Sequence, residues 1–215
     1  MYVGRIVAIG STKAGRLSAM YRVSSRSFPN RRASQKDSTV AIIPKEGHQD
    51  DIYKNPYIAY NCLRLIGDYA VATNGAQTDP IAERLEAGMN MRDALVTALF
   101  GLDYEHDHLN TPRIAAIVQH NNTEGYLGIV RHDALLVRAF TLEPGEAYYV
   151  CTYEHNIPAD DYSDREFDVN TAEEACEYVL GQGVFRTLER PITAACALSN
   201  GNGGFEIAAI DKTPA

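Results

Sequence analysis

Apolar residues recur at every second position, or in short unbroken runs, along most of the chain, which is the spacing of β-strands. "YVGRIVAIG" (2–10) predicts one strand, and "GSTKAG" a turn into a second, "RLSAMYRVS". "STVAIIP" predicts another, stopped by Pro44. "YIAYNCLRLIGDYAVAT" predicts a hairpin that turns at Gly67-Asp68. Strands follow over "RIAAIVQH" (113–120), "YLGIVRHDALLVRAFTL" (126–142) and "AYYVCTYE" (147–154). The last pair, "ITAACALS" and "FEIAAI", is joined by the flexible "NGNGG".

Two regions change to helical spacing. Asp79-Pro80 predicts the start of the first, with the aspartate as N-cap and the proline at the first helical position. It continues through "IAERLEAGMNMRDALVTALFGLDYE" with a break near Gly88; Ile81, Leu85, Met91, Leu95 and Leu99 mark the apolar face. The second opens on a capping-box pattern, Thr171 to Glu174, and ends near Gly181 and Gly183. Roughly ten strands with two or three helices imply an α+β fold with largely antiparallel sheet. So many strands are expected to split into two packed sheets. Small residues such as Ala115, Ala116, Ala194 and Ala195 suit close packing. With helices outside, the result is a four-layer αββα sandwich. No internal repeat or linker divides the chain, so one domain over 1–215 is expected.

The 215 residues are 45% hydrophobic, enough for a sizeable core, and the net charge of -8 argues against a general nucleic-acid binder. Cys62, Cys151, Cys176 and Cys196 stand far apart with no CxxC pair, as expected of buried thiols in a reducing compartment. The opening "MYVGRIVAIG" is too short an apolar run for a signal peptide, and Arg5 interrupts it. No stretch reaches the roughly 18 apolar residues of a membrane helix. The expectation is a soluble cytoplasmic protein with no membrane partner.

Against that acidic background, "YRVSSRSFPNRR" (21–32) holds four arginines. Arg22, Ser25, Arg26, Asn30, Arg31 and Arg32, stiffened by Phe28-Pro29, offer the paired donors that suit phosphate. Surface ion pairing is the plainer alternative. In "NPYIAYNC" (55–62), Tyr57 and Tyr60 are expected on opposite sides of a strand, one of them lining a pocket beside Asn61. "TNGAQTD" (73–79) can aim the amides of Asn74 and Gly75 at a ligand, although a tight turn explains it equally well. "DYEHDHLNTPR" (103–113) places Asp103 and Glu105 at a helix C-terminus, where the macrodipole disfavours them. Asn110, Thr111 and Arg113 stand at the entrance to the next strand. His106 and His108 lack further ligand spacing, so no metal and no cofactor is expected. No P-loop, dinucleotide, GxSxG or HExxH pattern occurs. The residues alone reach a small-anion site with tyrosine and carboxylate near it.

"YRVSSRSFPNR", "NPYIAYNC" and "DYEHDHLNTPRIAA" resemble the archaeal-type inosine monophosphate (IMP) cyclohydrolases. The resemblance includes the opening "MYVGRI" and thins between about 155 and 190. It implies the αββα architecture of N-terminal-nucleophile hydrolases, although the Cys, Ser or Thr nucleophile of that superfamily has no candidate in Met1-Tyr2. The implied reaction closes 5-formamidoimidazole-4-carboxamide ribonucleotide (FAICAR) to IMP and water. The implied machinery is Tyr60, Tyr104 and Glu105 for acid–base chemistry. Arg22, Ser25, Arg26, Phe28, Asn30, Arg31, Asn61, Asn74, Gly75, Asp103, Asn110, Thr111 and Arg113 would bind substrate. A homo-oligomer, with a tetramer as the expected form, is also implied. An amide hydrolase of the same fold class and a non-catalytic purine-nucleotide binder remain alternatives.

Overall fold

The computed structural model describes residues 1–212. In chain order the strands are β1 (Ile6–Ser11), β2 (Leu17–Ser24), β3 (Arg31–Lys36), β4 (Thr39–Pro44), β5 (Tyr60–Ile66), β6 (Tyr69–Thr73), β7 (Arg113–Gln119), β8 (Glu124–Arg131), β9 (Ala134–Thr141), β10 (Ala147–Cys151), β11 (Ser163–Asp164), β12 (Pro191–Ser199) and β13 (Phe205–Asp211). The helices are α1 (Asp51–Lys54), α2 (Thr78–Glu86), α3 (Met91–Leu102) and α4 (Ala172–Gly181). Two sheets result, ordered β11-β10-β1-β2-β12-β13 and β3-β4-β5-β6-β7-β8-β9. All pairings are antiparallel.

The sheets face each other across a core that includes Val7, Ile9, Ala19, Tyr21 and Val23 from one and Ile42, Cys62, Ala72, Ile114 and Leu127 from the other. On the outer face of the first sheet, Ala8, Met20, Ala194 and Cys196 pack against Ala175, Cys176 and Val179 of α4. On the outer face of the second, Val71, Ala115 and Ile117 meet Ile81, Leu85 and Leu95 of α2 and α3. Because central strands are covered on both faces, β1 and β2 are buried throughout. Their sequences read as continuous apolar runs rather than as alternation.

Four expectations are corrected. A strand absent from the expected set, β3, begins at Arg31 within the arginine segment and pairs with β4 from Arg31↔Pro44 to Lys36↔Thr39. "RRASQK" is a sheet-edge strand with little burial, so it carries no apolar period. Tyr57 belongs to a single 3₁₀ turn, Pro56–Ile58, and not to the strand that starts at Tyr60. Helix α2 starts two residues earlier than its sequence signal, with Gln77 rather than Asp79 at the N-cap position, and Asp79 lies within it. Its carboxylate accepts from Asn61 Nδ2 (3.0 and 3.1 Å) and Arg64 Nη1 (2.9 Å) instead of capping the helix. Helix α3 stops at Leu102, because Asp103 turns to φ +57° and sends Tyr104 and Glu105 into a loop.

The alternation of β2 also decides the fate of Arg22. Tyr21 points between the sheets, so Arg22 points the other way, under α4. It has no solvent exposure. Its Nη1 donates to the carbonyls of Val179 (3.2 Å) and Phe185 (3.4 Å), and its Nη2 to Leu188 (2.7 Å) and Glu189 (3.1 Å). Its Nε donates to Ser24 Oγ at 2.9 Å. Burial pulls its pKa down to about 10. Arg22 therefore ties the chain after α4 to the sheet and presents nothing to an anion, contrary to its expected part in phosphate binding. Arg22→Ala leaves those carbonyls unpaired and should lower unfolding stability by about 3 kcal/mol or more, measured by denaturant titration.

Candidate active site

At one end of the two sheets, the beginnings of β1, β3, β5 and β7 come together with the end of β2 and the loop 103–112. A cleft of about 240 Å³ opens there, bounded by Tyr2, Arg5, Ser25, Phe28, Asp107 and Tyr153. The loop is shaped by Asp107, whose carboxylate accepts from the amides of Leu109 (3.1 Å) and Thr111 (2.9 Å) and from Thr111 Oγ1 (2.8 Å). Asn110 takes φ +48° at the tip. The Glu105 amide donates to Thr111 O at 2.8 Å, which turns the Glu105 side chain inward to 1% exposure.

Glu105 Oε2 accepts from Arg5 Nη2 at 3.2 Å. Its Oε1 lies 3.8 Å from Arg113 Nη1 and makes no hydrogen bond, and Arg5 Nε is likewise buried without a partner. Arg113 is fixed by donating through Nε to Asp103 O (2.8 Å) and through Nη1 to Gln77 Oε1 (3.2 Å). The backbone at Gly75 lies close by. A Cβ there would fall 2.7 Å from both Arg113 Nη1 and Gln77 Oε1, so a side chain would crowd the pair.

Tyr60 stands beside this group, 9% exposed, with its hydroxyl 2.6 Å from that of Tyr21. Arg31 is 3% exposed and held through Nε to Phe28 O at 3.1 Å. Among the described residues its terminal nitrogens have no hydrogen-bond partner. Burial is the largest influence on Glu105 and outweighs the attraction of Arg5 and Arg113, so its carboxyl is pushed up to about 7. Burial also raises the phenols of Tyr60 and Tyr21, against the pull of Arg31 and Arg5. The guanidiniums of Arg5, Arg31 and Arg113 thus all act on one carboxyl whose ionised form is disfavoured by burial.

A family model described as "IMP cyclohydrolase-like protein" matches residues 2–203. The chain belongs to that family. It is 48% identical to an IMP cyclohydrolase of Methanosphaera stadtmanae over 93% of this chain and 95% of the relative. It is 43% identical to one of Methanococcus maripaludis over 98% and 100%, and 44% identical to one of Methanocaldococcus jannaschii over 94% and 96%.

In this member of the family, Tyr60, Glu105, Arg31 and Arg113 converge, and Ser25, Arg26 and Phe28 line the cleft. Arg26 is exposed, paired with Glu189 at 3.0 Å and placed 4.2 Å over the Tyr2 ring. Other expected residues serve the scaffold. Asn74 is buried and satisfied, donating to Pro112 O and accepting from Ile114 N and Gln77 Nε2. The Gly75 amide is taken by Thr73 Oγ1, and Asn61 is turned to Asp79. Asn30 faces His48 at 3.1 Å. Asp103 and Thr111 shape the loop. Tyr104 leaves the cluster, its ring 4.4 Å from that of His106 and 6.4 Å from that of His132. Among the described residues no three His, Cys, Asp or Glu side chains are grouped to hold a metal. Arg5, Tyr21 and Tyr153 were not singled out by the sequence. Arg5 reads there as an interruption of an apolar run, and Tyr21 as one more strand residue.

The raised Glu105 pKa has a stability signature. The folded chain binds the proton near pH 7 and the unfolded chain at the ordinary 4.5, so folding is favoured below 4.5 and loses that advantage as pH rises to 7. Relative to Glu105→Gln, wild-type stability should decline by about 3 kcal/mol between pH 4.5 and 8, followed by denaturant titration at each pH.

Proposed function

We propose that this chain is an IMP cyclohydrolase that closes FAICAR to IMP with loss of water. The observation that carries the reading is the buried Glu105 Oε1, without a hydrogen bond among Arg5, Arg31 and Arg113, in a chain alike over most of its length to relatives of that name. The two stacked antiparallel sheets with outer helices support the αββα class of N-terminal-nucleophile hydrolases. The reading extends to one catalytic domain over 1–215, acting in the cytoplasm as a homo-oligomer, a tetramer in form.

Arg31, with Arg26 at the mouth of the cleft, holds the 5′-phosphate through charge-assisted hydrogen bonds. Both reacting groups sit on one substrate, so the protein has to orient them and move protons. The carboxamide nitrogen attacks the formyl carbon, forming the C–N bond while the formyl oxygen gains charge. Tyr60, kept protonated by burial, donates to that oxygen. Glu105 Oε1 takes a proton from the attacking nitrogen. The same carboxyl returns that proton to the formyl oxygen, giving a hydroxyl. It then carries the N–H proton of the former formamide nitrogen to this hydroxyl, so that the C–O bond breaks, water leaves and the C=N bond of inosinate forms. A carboxyl with a pKa near 7 suits both directions of transfer. Arg5 and Arg113 hold Glu105 in place.

Purified protein incubated with FAICAR should form inosinate, followed by absorbance or chromatography; none formed refutes the reading. Tyr60→Phe and Glu105→Gln should each lower kcat by roughly 100-fold while inosinate still binds. Arg31→Ala should chiefly raise KM. In the wild type, kcat/KM should rise with pH through about 7 as Glu105 loses its proton, and Glu105→Gln should abolish that limb. Near-normal kcat in both active-site variants would return the two residues to the scaffold.

A further inference from the structure

The hydrogen bond between Tyr21 and Tyr60 has a direction, and the direction decides which phenol proton faces the cleft. Tyr21 lies on β2 of one sheet and is wholly buried, whereas Tyr60 opens β5 of the other and retains some exposure. At 2.6 Å, distance alone allows either oxygen to donate. The surroundings do not. Among the described residues the Tyr21 hydroxyl has no partner besides Tyr60. Were Tyr60 the donor, the Tyr21 hydrogen would be stranded without an acceptor between the sheets, which is the costly arrangement for a buried polar group.

Tyr21 is therefore the donor and Tyr60 the acceptor. The hydrogen of Tyr60 is then free, and its cationic neighbours Arg5 and Arg31 can only donate. That hydrogen finds an acceptor when a ligand brings an oxygen. Resting on the cyclohydrolase reading, we infer that Tyr21 is a positioning residue: its donated hydrogen bond orients Tyr60 as the donor to the formyl oxygen and strengthens that donation. A chain of two hydroxyls pointing the same way is mutually polarising, so Tyr60 donates better with Tyr21 behind it than without. The ionisation preferences agree. Burial and then Tyr60 hold the Tyr21 phenol well above its ordinary range, although Arg5 and Arg31 draw it down as they do Tyr60. Burial raises Tyr60 too, but Arg31, Arg5 and the bond from Tyr21 pull it back. Of the pair, Tyr60 is the one that retains exposure and can meet an oxygen of the ligand.

Tyr21→Phe removes one oxygen and keeps the packed ring. It should lower kcat about tenfold with KM and the unfolding midpoint close to wild type. In a Tyr60→Phe background the same substitution should change kcat by less than about twofold, because Tyr21 acts through Tyr60. Equal losses in both backgrounds, or no loss in the wild type, overturns the inference. A second readout does not depend on turnover. Carbon-13 NMR of ring-labelled tyrosine, assigned with Tyr60→Phe, should show the Tyr60 titration midpoint moving to higher pH in Tyr21→Phe. A midpoint that is unchanged or lower overturns the direction of the bond. A raised midpoint in a chain that forms no inosinate refutes the cyclohydrolase reading and leaves the bond direction standing.

Discussion

Much of this site follows from the burial of one carboxyl, Glu105, among more positive charge than it can neutralise. Taking a carboxylate out of water is unfavourable unless it is paired, and taking guanidiniums out with it adds a second penalty. The fold meets this with fixed partners. Arg113 is held by a carbonyl and an amide oxygen, Arg31 by a carbonyl, and Glu105 by the loop that Asp107 closes. What stays unsatisfied, Glu105 Oε1 and Arg5 Nε, is the part a ligand can complete.

This local charge stands against the net charge of the chain, -8. An acidic surface repels a nucleotide at long range, but salt screens exposed charges beyond about 10 Å. The buried guanidiniums of Arg31 and Arg113, and that of Arg5 at the cleft wall, are screened far less. The cleft therefore attracts by field focusing where the surface as a whole does not. It also explains why the arginine segment divides as it does. Arg31 turns into the cluster, Arg26 stays at the rim, and Arg22, one residue beyond Tyr21 on β2, passes to the opposite face and becomes scaffold.

The architecture was legible in the sequence because strand runs, the Gly67-Asp68 hairpin and the Thr171 cap are local signals. Thr171 Oγ1 does accept from the Glu174 amide at 3.1 Å. Polar β3 was hidden because an edge strand need not alternate, and the start of α2 was displaced because Asp79 is engaged by Asn61 and Arg64. At the site, Tyr60, Glu105, Arg31 and Arg113 stood out as unusual chemistry in unusual segments. Arg5 and Tyr21 did not, since their meaning lies in neighbours 100 and 39 residues away. In a strand covered on both faces, nothing in the apolar pattern says that Tyr21 faces the other sheet while Arg22 faces a helix.

Burial should make Glu105 gain and lose its proton near neutrality. Infrared difference spectra recorded across pH for the wild type and for Glu105→Gln isolate the carboxyl C=O band of this one residue. The band should lose half its intensity at a pH of about 7. A midpoint at the ordinary 4.5 would show a carboxylate held ionised by its arginines and would contradict it.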